Sequence, residues 1–350
     1  MQTAIGLEGI SYGTKPIRIT KRPTSISPGF LEINGHKFLL YQKNTLICAK
    51  PLNLLFIPME RRNFLKQSSV FLAGSLFLPS IVQVAPRPIG VQLFTLFTTL
   101  DQDVKGNMQK IADLGYKEIE SAFSRIGGFY GMSAMEFSNL NKSLGMNWVS
   151  HHVMGAPFKP RPGFDTSKMP RMNNLRDDAQ AIVDSLKGTT VKYLVCANIP
   201  VGSKEEVAES VQILTKAGKI AKDAGLTLCY HNHDMEFKMV DGQRAFDVFS
   251  KEIPADILKF ELDLGWATKA GEDPVALFKA QPGRFPLCHI KDFDEGFKNI
   301  VPAGSGIVNF KRIFDAASIG GLQHFFVEHD MPKDAIESLT IGKKNIGPLL

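Results

Sequence analysis

Imidazole and carboxylate side chains crowd into five short runs of this sequence: Ser150-His151-His152-Val153, His231-Asn232-His233, Phe260-Glu261-Leu262-Asp263, Cys288-His289-Ile290-Lys291-Asp292 and Val327-Glu328-His329. Neutral imidazole and ionised carboxylate are ligands of borderline divalent cations, and they are also the usual groups for moving protons near neutral pH. Each residue alone has a plainer explanation, as a core histidine with satisfied hydrogen bonds or a buried carboxylate held by backbone amides. What decides is whether the chain brings the runs to one place.

From Pro88 onward, short runs rich in Val, Ile, Phe and Tyr alternate with helical stretches. The strand candidates are Ile89–Phe97, Tyr116–Phe123, Asn147–Val153, Val191–Ile199, Leu226–His233, Leu258–Leu264, Phe285–Asp292 and His324–His329. Between them, Asp103–Leu114 sets Val104, Met108, Ile111 and Leu114 on one helical face, and Ser133–Leu144 opens with a Ser cap and Glu136 three residues on. Gly115, Gly145, Gly188 and Gly225 stand at or near helix ends, where positive φ is often needed. Eight alternations over residues 88–350 predict a (β/α)8 TIM barrel. A doubly wound open sheet would want fewer strands and often a glycine-rich first turn, and Phe94-Thr95-Leu96-Phe97 has no glycine.

In such a barrel, functional side chains project from the C-terminal strand ends. Residues 88–350 contain seven histidines, and six of them, His151, His152, His231, His233, His289 and His329, fall there. Strand alternation turns Glu261 and Asp263 inward, with Phe260, Leu262 and Leu264 toward the helices. It likewise turns Cys229, His231 and His233 inward on the fifth strand, Leu287, His289 and Lys291 on the seventh, and Phe326 and Glu328 on the eighth. His231, Asp263, His289 and Glu328 thus stand on four consecutive strands about 4.8 Å apart. Two imidazoles and two carboxylates there suit one divalent metal, Mn, Zn or Co.

Charge narrows the class. The formal net charge is +6, but residues 1–58 carry +5 and residues 59–87 carry +3, which leaves −2 on the body. A mildly acidic body argues against nucleic acid as a partner. Cys196, Cys229 and Cys288 are odd in number and lack C-x-x-C spacing, so buried free thiols are expected. In MERRNFLKQSSVFLAGSLFLPS, starting at Met59, Arg61 and Arg62 precede an uncharged stretch from Gln67 to Leu78. The segment is similar to a twin-arginine export signal. It is shorter than the roughly 20 residues of a membrane span and lacks the stripe of a surface helix. Export to the periplasm by the twin-arginine machinery is expected. An uncut, membrane-tethered form is the alternative, because Pro86 follows Ala85. Residues 1–58 show no sustained periodicity and no element able to bury a face. They read as sequence translated ahead of a true start at Met59, or as a disordered extension, with no function assigned.

The same runs carry a family resemblance. Phe260-Glu261-Leu262-Asp263, Cys288-His289-Ile290-Lys291-Asp292 and Phe326-Val327-Glu328 resemble the sugar phosphate isomerase/epimerase superfamily. These are the xylose isomerase-like barrels, which also include inosose dehydratases and endonuclease IV-like enzymes. The likeness covers residues 88 to about 345, with Ile89-Gly90-Val91-Gln92-Leu93, Ser150-His151-His152-Val153 and Gly304-Ser305-Gly306 among its segments. It implies one divalent metal held by Glu, Asp, His and Glu on the late strands. Asp263, His289 and Glu328 match the last three, and His152 matches a histidine that lines the substrate pocket. Lys291, Glu120 and Trp266 join His152 as expected substrate-binding residues. On the fifth strand, where many members have Glu-Asn-His, this chain has His231-Asn232-His233. The exchange gives ligands of charge −2 rather than −3 and a more Lewis-acidic metal. It also removes one of the paired carboxylates, which Glu236 replaces only if the loop turns back. Inosose dehydratase-like members carry histidines here too, which points toward elimination.

The implied chemistry is proton abstraction next to a carbonyl of a sugar or keto-sugar, with Glu328 as first choice of base and His231 or His233 as second. Return of the proton gives an epimer or isomer, and loss of a β-substituent makes the enzyme a lyase. Lys291 and the Gly304–Gly306 loop are the only candidates for gripping a phosphate, so an unphosphorylated carbohydrate is expected. A non-catalytic sugar-binding barrel is the alternative of another class, against which the intact Asp263, His289 and Glu328 stand.

Overall fold

The computed structural model describes residues 29–33, 36–40, 87–157 and 171–350. The chain divides into two compact units, Met1–Val82 and Gln83–Leu350. In the first, Gly29–Ile33 pairs antiparallel with His36–Leu40. This hairpin is an element within residues 1–58, where no element able to bury a face was expected, and the burial of its side chains lies outside what is described. Its sequence signal is Asn34-Gly35 between two apolar runs, a local turn signature that needs no long periodicity. The export-like segment, 59–86, lies outside the described residues. No helix among the described residues is long and apolar enough to cross a membrane.

The second unit is an eight-stranded parallel closed barrel ringed by helices. Its strands are β1 (Gly90–Gln92), β2 (Glu118–Ser121), β3 (Asn147–Met154), β4 (Tyr193–Asn198), β5 (Thr227–His231), β6 (Lys259–Asp263), β7 (Leu287–Ile290) and β8 (His324–Val327). They pair in sequence order, and β8 closes on β1 with Phe326 opposite Gly90. Each forms on the run expected of it. The first stops early, at Gln92, because the Gln92 side chain accepts the Phe94 N–H at 3.0 Å and starts a 3-10 turn over Leu93–Leu96.

The helices follow their sequence signals. Asp103 caps Val104–Asp113 by accepting from the Gly106 N–H, and Ser133 with Glu136 forms a capping box on Ala134–Ser143. Gly115, Gly145, Gly188 and Gly225 all take positive φ.

Alternation sorts the side chains as expected. Val149, Tyr193, Val195, Cys229, Leu287 and Phe326 form an apolar cluster inside the barrel. Leu228, Tyr230, Phe260, Leu262, Cys288, Ile290 and Val327 join the larger core between strands and helices. Phe326 reaches across β1 only because residue 90 is glycine: a Cβ there would stand 2.5 Å from the ring. Cys196, Cys229 and Cys288 are free and buried.

Candidate metal centre

Register brings the late strands' polar ends together. His231 on β5 lies opposite Glu261 on β6, and Asp263 opposite His289 on β7. His231, Asp263, His289 and Glu328 each turn one ligand atom to a common place, all within 4.8 Å of one another and all buried. His231 Nε2 lies 3.4 Å from Asp263 Oδ2, and His289 Nδ1 lies 3.8 Å from Asp263 Oδ2 and 2.7 Å from Glu328 Oε2. Despite that last distance, neither His289 Nδ1 nor Glu328 Oε2 has an aligned hydrogen-bond partner. Two buried polar atoms that face one point rather than each other are disposed as ligands, and the donor set fits a divalent cation.

Local structure fixes these ligands. Asp263 Oδ1 caps the helix Leu264–Lys269 by accepting the Trp266 N–H at 2.8 Å, which leaves Oδ2 for the site. Asn232 Oδ1 accepts the Asp263 N–H at 3.0 Å and ties the end of β5 to β6. Lys291 Nζ reaches Asp263 Oδ2 at 3.2 Å, Glu328 Oε2 at 2.8 Å and Asp330 Oδ1 at 2.8 Å. Burial works against charge on all of them. Lys291 and His231 nonetheless hold the Asp263 carboxyl below its ordinary value, and Lys291 and His289 hold Glu328 well below it. For Lys291, the three carboxylates more than offset burial, so its pKa lies well above the ordinary range. Burial pushes His231 well down, which keeps its imidazole neutral.

A second group lies on the other face of His289. Glu120 from β2, His152 from β3, Glu261 from β6 and His289 turn one atom each to a common place. His152 Nε2 is 2.6 Å from Glu261 Oε2 and 3.1 Å from Glu120 Oε1. His289 Nε2 is 2.6 Å from Glu120 Oε1 and 3.1 Å from Glu261 Oε2. Burial alone would lower the His152 pKa, but the two carboxylates raise it to about 9.

The structure thus joins the four expected ligands and places the other expected residues around them. Lys291 is buried among carboxylates, Glu120 is wholly buried, and His152 bonds to Glu261. Trp266 is half-buried, with Lys291 Nζ 5.4 Å and Lys269 Nζ 4.5 Å from its ring centroid. His233 belongs to neither group. It is half-buried beside Trp266, with ring centroids 5.7 Å apart, and its Nδ1 has no partner. Glu236 does not turn back to the site: Oε1 accepts from the Tyr230 hydroxyl at 2.7 Å and Oε2 from the His233 N–H at 2.8 Å. Of the remaining histidines, His151 Nδ1 meets the Ser121 hydroxyl at 2.8 Å and His329 Nδ1 the Ser338 hydroxyl at 2.8 Å. His324, at the start of β8, meets Glu118 at 2.9 Å. Gln92, Asn232 and Asp330 also border the two groups, and the sequence pattern alone does not mark them. Gln92 had one visible signal, a polar residue ending an apolar strand.

A model of the xylose isomerase-like TIM barrel family matches residues 108–344. The chain belongs to that family. Two curated relatives are inosose dehydratases. That of Clostridium tetani is 26% identical over 136 residues, 33% of this chain and 44% of the relative. That of Bacillus cereus is 24% identical over 173 residues, 43% of this chain and 56% of the relative. The matches thus span about half the length of these relatives. The crystal structure of a sugar phosphate isomerase/epimerase from Parabacteroides distasonis superposes with a TM-score of 0.62 at 25% identity, over 76% of this chain and 95% of that one. The protein is therefore a metal-binding-competent barrel of the xylose isomerase-like family, related to a sugar phosphate isomerase/epimerase and to inosose dehydratases.

Proposed function

We propose that the protein removes a proton from carbon next to a carbonyl of an unphosphorylated sugar or keto-sugar, using one divalent metal, Mn, Zn or Co. The convergence of His231, Asp263, His289 and Glu328 in one buried group carries this reading. A bound dication supplies Lewis-acid stabilisation of the negative charge that develops on the carbonyl oxygen. Glu328, kept ionised by Lys291 and His289, accepts the proton. His233, outside both ligand groups, is the imidazole free to protonate a departing or returning atom. Half-buried Trp266 offers a ring face to the sugar.

Phosphate recognition is disfavoured by where the candidate donors point. The Gly304 and Gly306 N–H groups donate to Asp292 Oδ2 at 3.0 and 2.8 Å, and Val308 N–H donates to Oδ1 at 3.0 Å. That loop cradles a carboxylate of its own chain, and Lys291 is already matched by three others. The export-like segment around Arg61 and Arg62 agrees with a substrate met in the periplasm.

The withdrawal of Glu236 favours a second reading, β-elimination from a keto-sugar or keto-glycoside. A two-base epimerisation needs comparable groups on both faces of the substrate, and here Glu328 faces histidines. Incubation in D2O with ketoses, 3-keto-glycosides and inososes, followed by NMR, tests both readings. Solvent deuterium next to the carbonyl is expected, and the product separates epimer, isomer and alkene. No deuterium in any of these substrates would sink the proposal.

A further inference from the structure

His289 faces carboxylates through both ring nitrogens, so the two buried groups cannot be read independently. Ligands about 2.1 Å from a cation stand about 3.0 Å apart at right angles and about 3.4 Å apart at tetrahedral angles. The two shortest inner contacts, His289 Nε2 to Glu120 Oε1 and His152 Nε2 to Glu261 Oε2, are 2.6 Å and aligned as hydrogen bonds. They are too short for neighbours on a cation and match charge-assisted hydrogen bonds. Of the outer separations, 3.4 and 3.8 Å lie at and beyond the tetrahedral value, while the 2.7 Å pair is as short as the inner contacts but, unlike them, is not aligned as a hydrogen bond.

A chain of contacts leads to His289 from the opposite side of the barrel. Gln92 Oε1 accepts the Phe94 backbone N–H at 3.0 Å, so its amide nitrogen must be the end that meets Glu120 Oε1, at 2.7 Å. Glu120 is then an acceptor held in one place, and the His289 nitrogen it meets must bring a proton. We infer that Glu120, fixed by Gln92, is a positioning residue: it holds the proton of His289 on Nε2 and so presents the bare Nδ1 to the outer group. The inner group is a hydrogen-bonded support and not a second cation site. The inference rests on the outer group's being the metal centre. Its physical basis is general: a ligating histidine whose far N–H is held by a carboxylate is oriented, fixed in tautomer and made a better donor.

The test is zinc binding to the full chain, measured by chelator competition in wild type, Glu120→Gln and Glu120→Ala, with long-range 1H–15N spectra of histidine-labelled protein. Wild type should bind one equivalent and show His289 protonated on Nε2. Glu120→Ala should bind zinc about 10–100-fold more weakly and lose the single-tautomer signature. Glu120→Gln, which keeps an acceptor oxygen without its charge, should fall between them. If Glu120→Ala fails to fold, Glu120→Gln decides by the same two readouts. Wild-type affinity in the variants overturns the inference while leaving the outer metal centre standing. A second equivalent in wild type that disappears in Glu120→Ala overturns it by making the inner group a cation site. A wild type that binds no zinc, manganese or cobalt overturns the metal centre itself, and the inference with it.

Discussion

Tyr230 and Glu236 are six residues apart and locked together, the tyrosine hydroxyl donating to Glu236 Oε1 at 2.7 Å in a buried contact. Tyr230 belongs to the outward face of its strand, so the bond pins the loop glutamate on the helix side of β5 and away from the barrel axis. Tyr230→Phe leaves a buried carboxylate oxygen without its donor and should cost about 1–3 kcal/mol of stability, read by denaturant unfolding. Glu236→Gln should leave bound metal unchanged. Loss of metal in Glu236→Gln would make this residue a ligand and the assignment of His231 wrong.

The asymmetry that follows can be read in rates. His233→Asn should slow β-elimination from a keto-glycoside more than it slows solvent deuterium exchange, because exchange needs only the base. Equal losses in the two rates, or clean epimerisation with no eliminated product, would return the enzyme to ordinary two-sided proton transfer.

His151 gives a pH dependence with a definite sign. Burial of the ring, aided by the charge of His152, pushes its pKa from the ordinary 6.5 down to about 3, and Nδ1 lies 2.8 Å from the Ser121 hydroxyl. Below pH 6.5 the unfolded chain binds a proton that the folded chain refuses. The group's contribution is therefore intact above that value and is lost as pH falls toward about 3. His151→Asn should flatten the fall in unfolding free energy between pH 6 and 4, a window of roughly the size this one group controls. An unchanged slope would mean that His151 is protonated in the fold.

The export-like segment carries a separate prediction. A chain begun at Met59 should be exported by the twin-arginine route, and replacing Arg61 and Arg62 together by lysine should abolish that export, read by fractionating cells. Continued export through that route would show that the pair is not the signal.

The barrel and the four residues of the outer group are legible in the sequence because strand alternation is a local property. Once Phe260, Leu262 and Leu264 are turned to the helices, Glu261 and Asp263 must face the axis, and the same logic places His231, His289 and Glu328. What local pattern cannot supply is the partner across the barrel. Glu120 stands 169 residues from His289, and nothing in its own strand says that it serves an imidazole rather than a substrate. Gln92 is hidden for a further reason: its capping of the next turn ends a strand that its apolar neighbours would have prolonged. Glu236 failed the other way. Its spacing from His233 allowed a return to the site, and only the packing of Tyr230 shows where the carboxylate goes.

The most direct test of the account couples metal to chemistry. Asp263→Ala and His289→Ala should each lose bound divalent metal and solvent deuterium incorporation into a keto-sugar together, since removing one ligand from a buried set destroys both the site and the charge stabilisation it supplies. The measurement is metal content by mass spectrometry on the same samples used for the deuterium assay. Parallel loss is expected in both variants, with the fold retained by circular dichroism. Deuterium incorporation at the wild-type rate in a variant shown to be metal-free would contradict it.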